Sequence, residues 1–98
     1  MSQPADVAPR GRILVVDDDA SLAEMLTIVL RQEGFESRVC GRGDEAMEAF
    51  RDFRPDLVLL DLMLPGEDGW EVCRHLRARH ADVPVIMLSA RSAEAHRV

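Results

Sequence analysis

The feature that most constrains this chain is the alternation of short, unbroken apolar runs with longer amphipathic stretches. Residues 13–16 (ILVV), 57–60 (LVLL) and 85–88 (VIML) are continuous apolar tetrads. They are too short for helices and lack the polar alternation of a strand with one wet face. Such runs suit parallel strands covered on both sides. A weaker run, 35–40, reads as one more strand. Leu22, Met25, Leu26, Val29 and Leu30 recur at helical spacing, and Gly34 stands where a helix-ending glycine belongs. A second helix is expected over about 44–53, burying Ala46, Phe50 and Phe53 and ended by Pro55. A third is expected over 70–79, facing inward through Trp70, Cys73 and Leu76, after a loop shaped by Pro65, Gly66 and Gly69. Residues 92–98 read as the first turns of one more helix. The order βαβαβαβ implies an α/β fold: a parallel sheet with right-handed crossovers and helices on both faces.

Ninety-eight residues with 47% apolar content suffice for one domain around one core. The formal net charge of −6 argues against a nucleic-acid footprint in this segment and favours a cation or a basic partner. All twelve basic residues are arginine, and lysine is absent. Cys40 and Cys73 read as free thiols, which fits a reducing, cytoplasmic setting. No apolar run approaches the roughly 18 residues of a membrane span. Residues 1–11 have no apolar signal core and read as a flexible lead.

The first apolar run ends in Asp17, Asp18 and Asp19. Like charges this close disfavour one another's ionisation unless they are solvated, capping a helix or holding a cation. The third strand closes on Asp61 and the fourth stops at Ser89. In an open parallel α/β sheet, ligands sit beyond the carboxyl ends of the strands. If these strands are neighbours, their ends form an acidic pocket with a hydroxyl beside it. Carboxylate oxygens with room for water suit Mg²⁺, which also accepts a phosphate oxygen. One carboxylate would then be free to attack phosphorus in line. Asp19, just ahead of the first helix, reads as its cap.

The stretches ILVVDDDASL, RPDLVLLDLMLPGEDGWEVCRHLR and VPVIMLSAR resemble, in order and spacing, the receiver domain of bacterial two-component response regulators. LLDLMLPGEDG carries most of that resemblance. It implies a flavodoxin-like, doubly wound parallel sheet with strand order 2-1-3-4. It implies Asp61 as the phosphoacceptor, taking its phosphoryl group from a phosphohistidine on a sensor histidine kinase. Asp18 is then a direct Mg²⁺ ligand, Asp17 acts mostly through water, and the backbone carbonyl of Met63 completes the metal site with Asp61. Ser89 is the hydroxyl that hydrogen-bonds the phosphoryl oxygens and reports phosphorylation, and Ala90 leaves it room. The family's fifth strand, with its lysine and switch aromatic, and its last helix lie beyond this sequence. The expectation is therefore a partial receiver over 12–98, from a longer regulator or a truncated gene. More weakly, LDLMLPGEDGW resembles transcriptional regulators with a winged-helix domain, so DNA would be met only through an output domain.

Two other readings were weighed. A haloacid-dehalogenase-like phosphatase would use Asp17 as nucleophile and Asp19 as acid/base, but it leaves LLDLMLPGEDG unexplained. An inactive fragment would act by association, through the open edge of the 85–88 strand or the face left by the missing helix. Cys73, His75 and His80 do not make a metal site, because cysteine and histidine two apart on a helix point to different faces.

Overall fold

The computed structural model describes residues 9–88. The elements run β1 (Arg12–Val16), α1 (Ala20–Gln32), β2 (Glu36–Cys40), a 3₁₀ turn (Gly43–Glu45), α2 (Ala46–Phe53), β3 (Leu57–Asp61), α3 (Gly69–Arg79) and β4 (Val85–Leu88). All strand pairs are parallel, in the order β2-β1-β3-β4. That is the expected α/β sheet and the expected order. The segment 92–98, expected as a helix, lies outside the described residues, as does most of the lead.

The unbroken apolar runs are explained by two cores. Leu14 and Val16 of β1, with Val58 and Leu60 of β3, point to one face and meet Ala46, Phe50 and Phe53 of α2 and Val72 and Leu76 of α3. Ile13 and Val15 point to the other face and meet Ala23, with Leu26, Leu30, Leu57 and Leu59 around them. Successive residues alternate faces, so a strand covered on both sides must be apolar throughout.

Local chemistry sets the helix ends. The Asp19 carboxylate accepts the Leu22 N–H at 3.1 Å, so Asp19 caps α1 as its position implied. At the other end Phe35 N–H donates to Leu30 O and Gly34 N–H to Arg31 O, the paired bonds of a left-handed helix stop. Gly34 has φ +91°, a conformation that a side chain disfavours. The second helix begins as a 3₁₀ turn and becomes α-helical only at Ala46. It ends at Phe53, two residues before Pro55, because Arg54 itself turns left-handed (φ 53°).

The inward face of α3 differs from the expectation. Gly69, Val72 and Leu76 are buried, whereas Trp70 is 59% exposed. Gly69 sits so close to the β3 end that a Cβ would overlap the Asp61 carbonyl and Leu62, and its N–H donates to Leu62 O at 2.9 Å. This contact fixes the helix rotation. Trp70, about 100° further around, points outward.

Two loops at the carboxyl end of the sheet are clasped together. Gly43 N–H donates to Pro65 O at 3.0 Å, and a Cβ at Gly43 would overlap the Glu67 carbonyl oxygen. Gly41, two residues earlier, has open space around it. Gly43→Ala is therefore expected to destabilise the protein by about 1–3 kcal/mol, the scale of overpacking. Gly41→Ala should stay within about 0.5 kcal/mol of the parent. Paired urea melts of the two variants check the difference.

Candidate functional site

The carboxyl ends of β1 and β3 are adjacent because these strands pair directly, Val16 opposite Leu60. Asp17 follows Val16 and Asp61 follows Leu60, so their carboxylates emerge side by side. Both residues are only 3% exposed, and they are the only buried charged residues among those described. Asp18 lies at the rim, exposed. Oxygens of Asp17, Asp18 and Asp61 all fall within 4.8 Å of one another. The sequence-derived acidic pocket is thus assembled from three separate carboxylates on two strands.

Backbone amides partly offset the crowding. Asp19 N–H donates to Asp17 Oδ1 at 2.9 Å, and Met63 N–H donates to Asp61 Oδ1 at 3.1 Å. Asp17 is held in place further by its own N–H, which reaches Cys40 O at 2.9 Å. Even so, burial pushes the Asp17 carboxyl above its ordinary value, and the charges of Asp61, Asp18 and Asp19 push it the same way. The Asp19 amide opposes them without cancelling them. Buried, crowded carboxylates with only oxygen donors are a fit for a hard divalent cation, whose charge would relieve both causes.

Asp19 does not join the cluster of mutually close oxygens, because its carboxylate caps α1. The phosphatase reading needed that carboxylate for proton transfer. Met63 lies in the loop directly after Asp61, with its side chain 57% exposed. Ser89 and Ala90 lie outside the described residues; the preceding Leu88 is the register partner of Asp61.

The loop after β3 is shaped as the sequence suggested at Gly66 and Gly69. Gly66 has φ +82°, and a Cβ there would press on the Asp44 carboxylate. What the sequence did not indicate is how that loop is held from the other side. Arg42 grips Asp44 through Nε at 2.9 Å and a second nitrogen at 3.1 Å, setting the turn whose Gly43 lies against Pro65 and Glu67. The RGD spacing of Arg42 to Asp44 was a signal for a turn but not for this contact. A second group of ligand-type side chains, Glu67, Glu71 and His75, also comes within 4.8 Å. His75 Nδ1 is 2.9 Å from Glu67, and Arg74 pairs with Glu71. His80 is elsewhere, stacked on Phe50.

Comparison with known proteins agrees with this geometry. The family model described as "Response regulator receiver domain" matches residues 13–98. The DNA-binding response regulator MtrA of Mycobacterium tuberculosis is 66% identical over 83 residues, covering 85% of this chain and 36% of that protein. The chain thus spans little more than a third of that relative's length. Among solved structures, a sensor protein from Polaromonas sp. superposes with a TM-score of 0.81 at 32% identity, covering 91% of this chain and 73% of that one. The BeF3-activated receiver domain of Klebsiella pneumoniae RstA superposes with a TM-score of 0.71 at 28% identity, covering 88% and 93%. No described helix is long and apolar enough to cross a membrane.

The sign of the Asp17 shift gives a test that needs no metal. A carboxyl raised in the folded state favours folding when protonated, and that contribution is lost as pH rises through its folded value. At neutral pH the ionised Asp17 is therefore a liability. Asp17→Asn in divalent-free buffer is expected to raise the melting temperature. The gain should fade as the pH is lowered through the raised folded-state value and be gone below the ordinary carboxylate value of about 4, which a series of thermal melts would resolve.

Proposed function

This chain belongs to the response regulator receiver domain family, and from that premise we propose that it is the phosphorylatable switch of a two-component phosphorelay. Asp61 is the phosphoacceptor. The observation that carries this assignment is a carboxylate at the end of a central strand, buried to 3% exposure and flanked by two others. Its Oδ1 is oriented by the Met63 amide. In the transfer, an Asp61 oxygen forms a new P–O bond as the P–N bond of a sensor kinase's phosphohistidine breaks, and the imidazole leaves with the electron pair.

Asp18 and Asp61 are proposed as direct Mg²⁺ ligands, with Asp17 acting through water and the Met63 carbonyl completing the set. When bound, the cation neutralises charge on the transferring group. Asp17, held by the Asp19 amide, keeps a second buried negative charge beside the acceptor. Ser89 is proposed as the hydroxyl that hydrogen-bonds the phosphoryl oxygens, and its place just after the register partner of Asp61 supports this. The receiver promotes its own phosphorylation and dephosphorylation and is not a metabolic enzyme. Its setting is the cytoplasm, and its consequence is control of transcription through a winged-helix output domain, a reading supported by the DNA-binding relative.

With acetyl phosphate and Mg²⁺, the parent should acquire one phosphoryl group labile to alkali and hydroxylamine, as an acyl phosphate is, and Asp61→Asn none. Asp17→Asn and Asp18→Asn should keep the acceptor but label at least about tenfold more slowly, as expected when charge stabilisation of the transferring group is impaired. Labelling that survives in Asp61→Asn overturns the assignment.

A second reading, association, is favoured by exposed apolar side chains on one side of the sheet. Ile86 of β4 is 49% exposed, and Met25 and Val29 of α1 are similarly uncovered. β4 is also an edge of the described sheet. We propose that the 98-residue chain self-associates through this face and edge. Sedimentation velocity should show a weight-average mass that rises with concentration, and a monomer at every concentration counts against it.

A further inference from the structure

The carboxylate cluster occupies one end of the sheet, and the other end carries a different kind of cavity. Between the end of α2, the end of α3 and the segment before β4 lies a hollow of about 490 Å³, lined by Phe50, Arg51, Arg54, Pro55, His80 and Val83. Its floor is apolar. Phe50 and His80 stack with ring centroids 4.2 Å apart and planes 29° from parallel, Phe50 itself being only 4% exposed. Its polar lining consists of two guanidiniums and an imidazole, with no carboxylate.

That lining runs against the net charge of this molecule. Acidic residues outnumber basic ones by 18 to 12, and Arg10, Arg42 and Arg74 each pair with a carboxylate. Among the described residues, the guanidiniums of Arg51 and Arg54 have no such partner within 4 Å, as is true also of Arg12, Arg31, Arg38, Arg77 and Arg79, but these two share one cavity. Asp52, between them in sequence, lines a separate hollow beside β2. The carbonyl ends of α2 and α3 account for only part of the excess, because a helix terminus carries about half a charge.

Arg54 is also the one described residue other than glycine with positive φ (53°, with ψ 62°). A helix stop of this shape favours glycine or asparagine. Its carbonyl is fixed by Arg12 Nε at 3.3 Å. An arginine held in a disfavoured conformation at the mouth of an apolar cavity is an outlier from which a functional reading can start.

We propose that this cavity binds a small aromatic carboxylate. The ring lies against Phe50, Pro55 and Val83, and the carboxylate is gripped by Arg51 and Arg54, whose planar donor forks match it. The volume falls within the range of small-molecule sites, and a largely apolar lining with a few convergent polar groups is their usual make-up. The inference does not depend on the phosphoacceptor assignment, because it concerns the opposite end of the sheet and is tested without phosphorylation.

The probe is 2-naphthoate, titrated into the full chain and followed by amide chemical shifts, with 2-naphthamide as its neutral match. Saturable shifts are expected at Phe50, Arg54, His80 and Val83, with a dissociation constant below about 1 mM and at least about tenfold weaker binding of the amide. Arg54→Gly suits the left-handed backbone, so its melting temperature should equal or exceed the parent's while naphthoate binding falls at least about tenfold. Arg51→Gln, which leaves the backbone alone, should also weaken binding. Equal affinity for naphthoate and naphthamide overturns the proposal. So do undiminished binding in both arginine variants and the absence of any saturable shift.

Discussion

Two carboxylates buried side by side at the ends of paired strands are the constraint around which the rest of this molecule is arranged. At close range in a protein environment, two unit charges repel by about 4 kcal/mol, a large fraction of the stability of a domain this small. Asp17 and Asp61 nevertheless share the carboxyl end of the sheet at 3% exposure each. Each receives a backbone N–H from the residue two further along. Those bonds require the chain to turn immediately after each strand, which is why both strands stop where they do. The remaining unfavourable charge is what makes the site receptive to a cation.

The same turns set the packing around the site. After β3 the chain must leave room for α3 to begin against Asp61 and Leu62, and only glycine fits at position 69. Across the loop, Gly43 meets the Pro65 and Glu67 carbonyls with no space for a side chain. The Arg42 to Asp44 pair is exposed, so its worth lies in holding the turn's shape more than in electrostatic energy. Displacing the loop after β3 therefore means displacing the start of α2 as well.

The order of elements was legible in the sequence because each strand is covered on both faces and each helix begins or ends at a recognisable residue. Asp19 and Gly34 did what their positions implied, and the burial of Ala46, Phe50 and Phe53 followed the helical period. The acidic site was legible because three carboxylates stand at strand ends, and topology alone brings such ends together. Trp70 was misread for a reason that a periodic pattern cannot contain. Hydrophobicity suggested it faced inward, but the rotation of α3 is set by the contact at Gly69, a residue with no side chain to show a preference. The Gly43 clasp was hidden for the same reason, since nothing local distinguishes it from Gly41, which stands in open space.

Counting both ends of the sheet together shows how this chain handles charge without lysine. Its cations are guanidiniums, which stay ionised at any ordinary pH, so the groups that titrate are the carboxylates, the thiols and three histidines. Carboxylates gather where the strands end, and Arg51 and Arg54, with no carboxylate within 4 Å among the described residues, share the hollow where β3 and β4 begin. A negative group is thus disfavoured beside Asp17 and Asp61 unless it arrives with a cation. Beside Arg51 and Arg54 it is favoured without one. On the function proposed above, a phosphoryl group on Asp61 would add charge at the end already crowded with it, and the sheet between the two ends is a dry core that cannot screen the difference. On that proposal the acidic end would have to be neutralised locally, by a cation held among Asp17, Asp18 and Asp61.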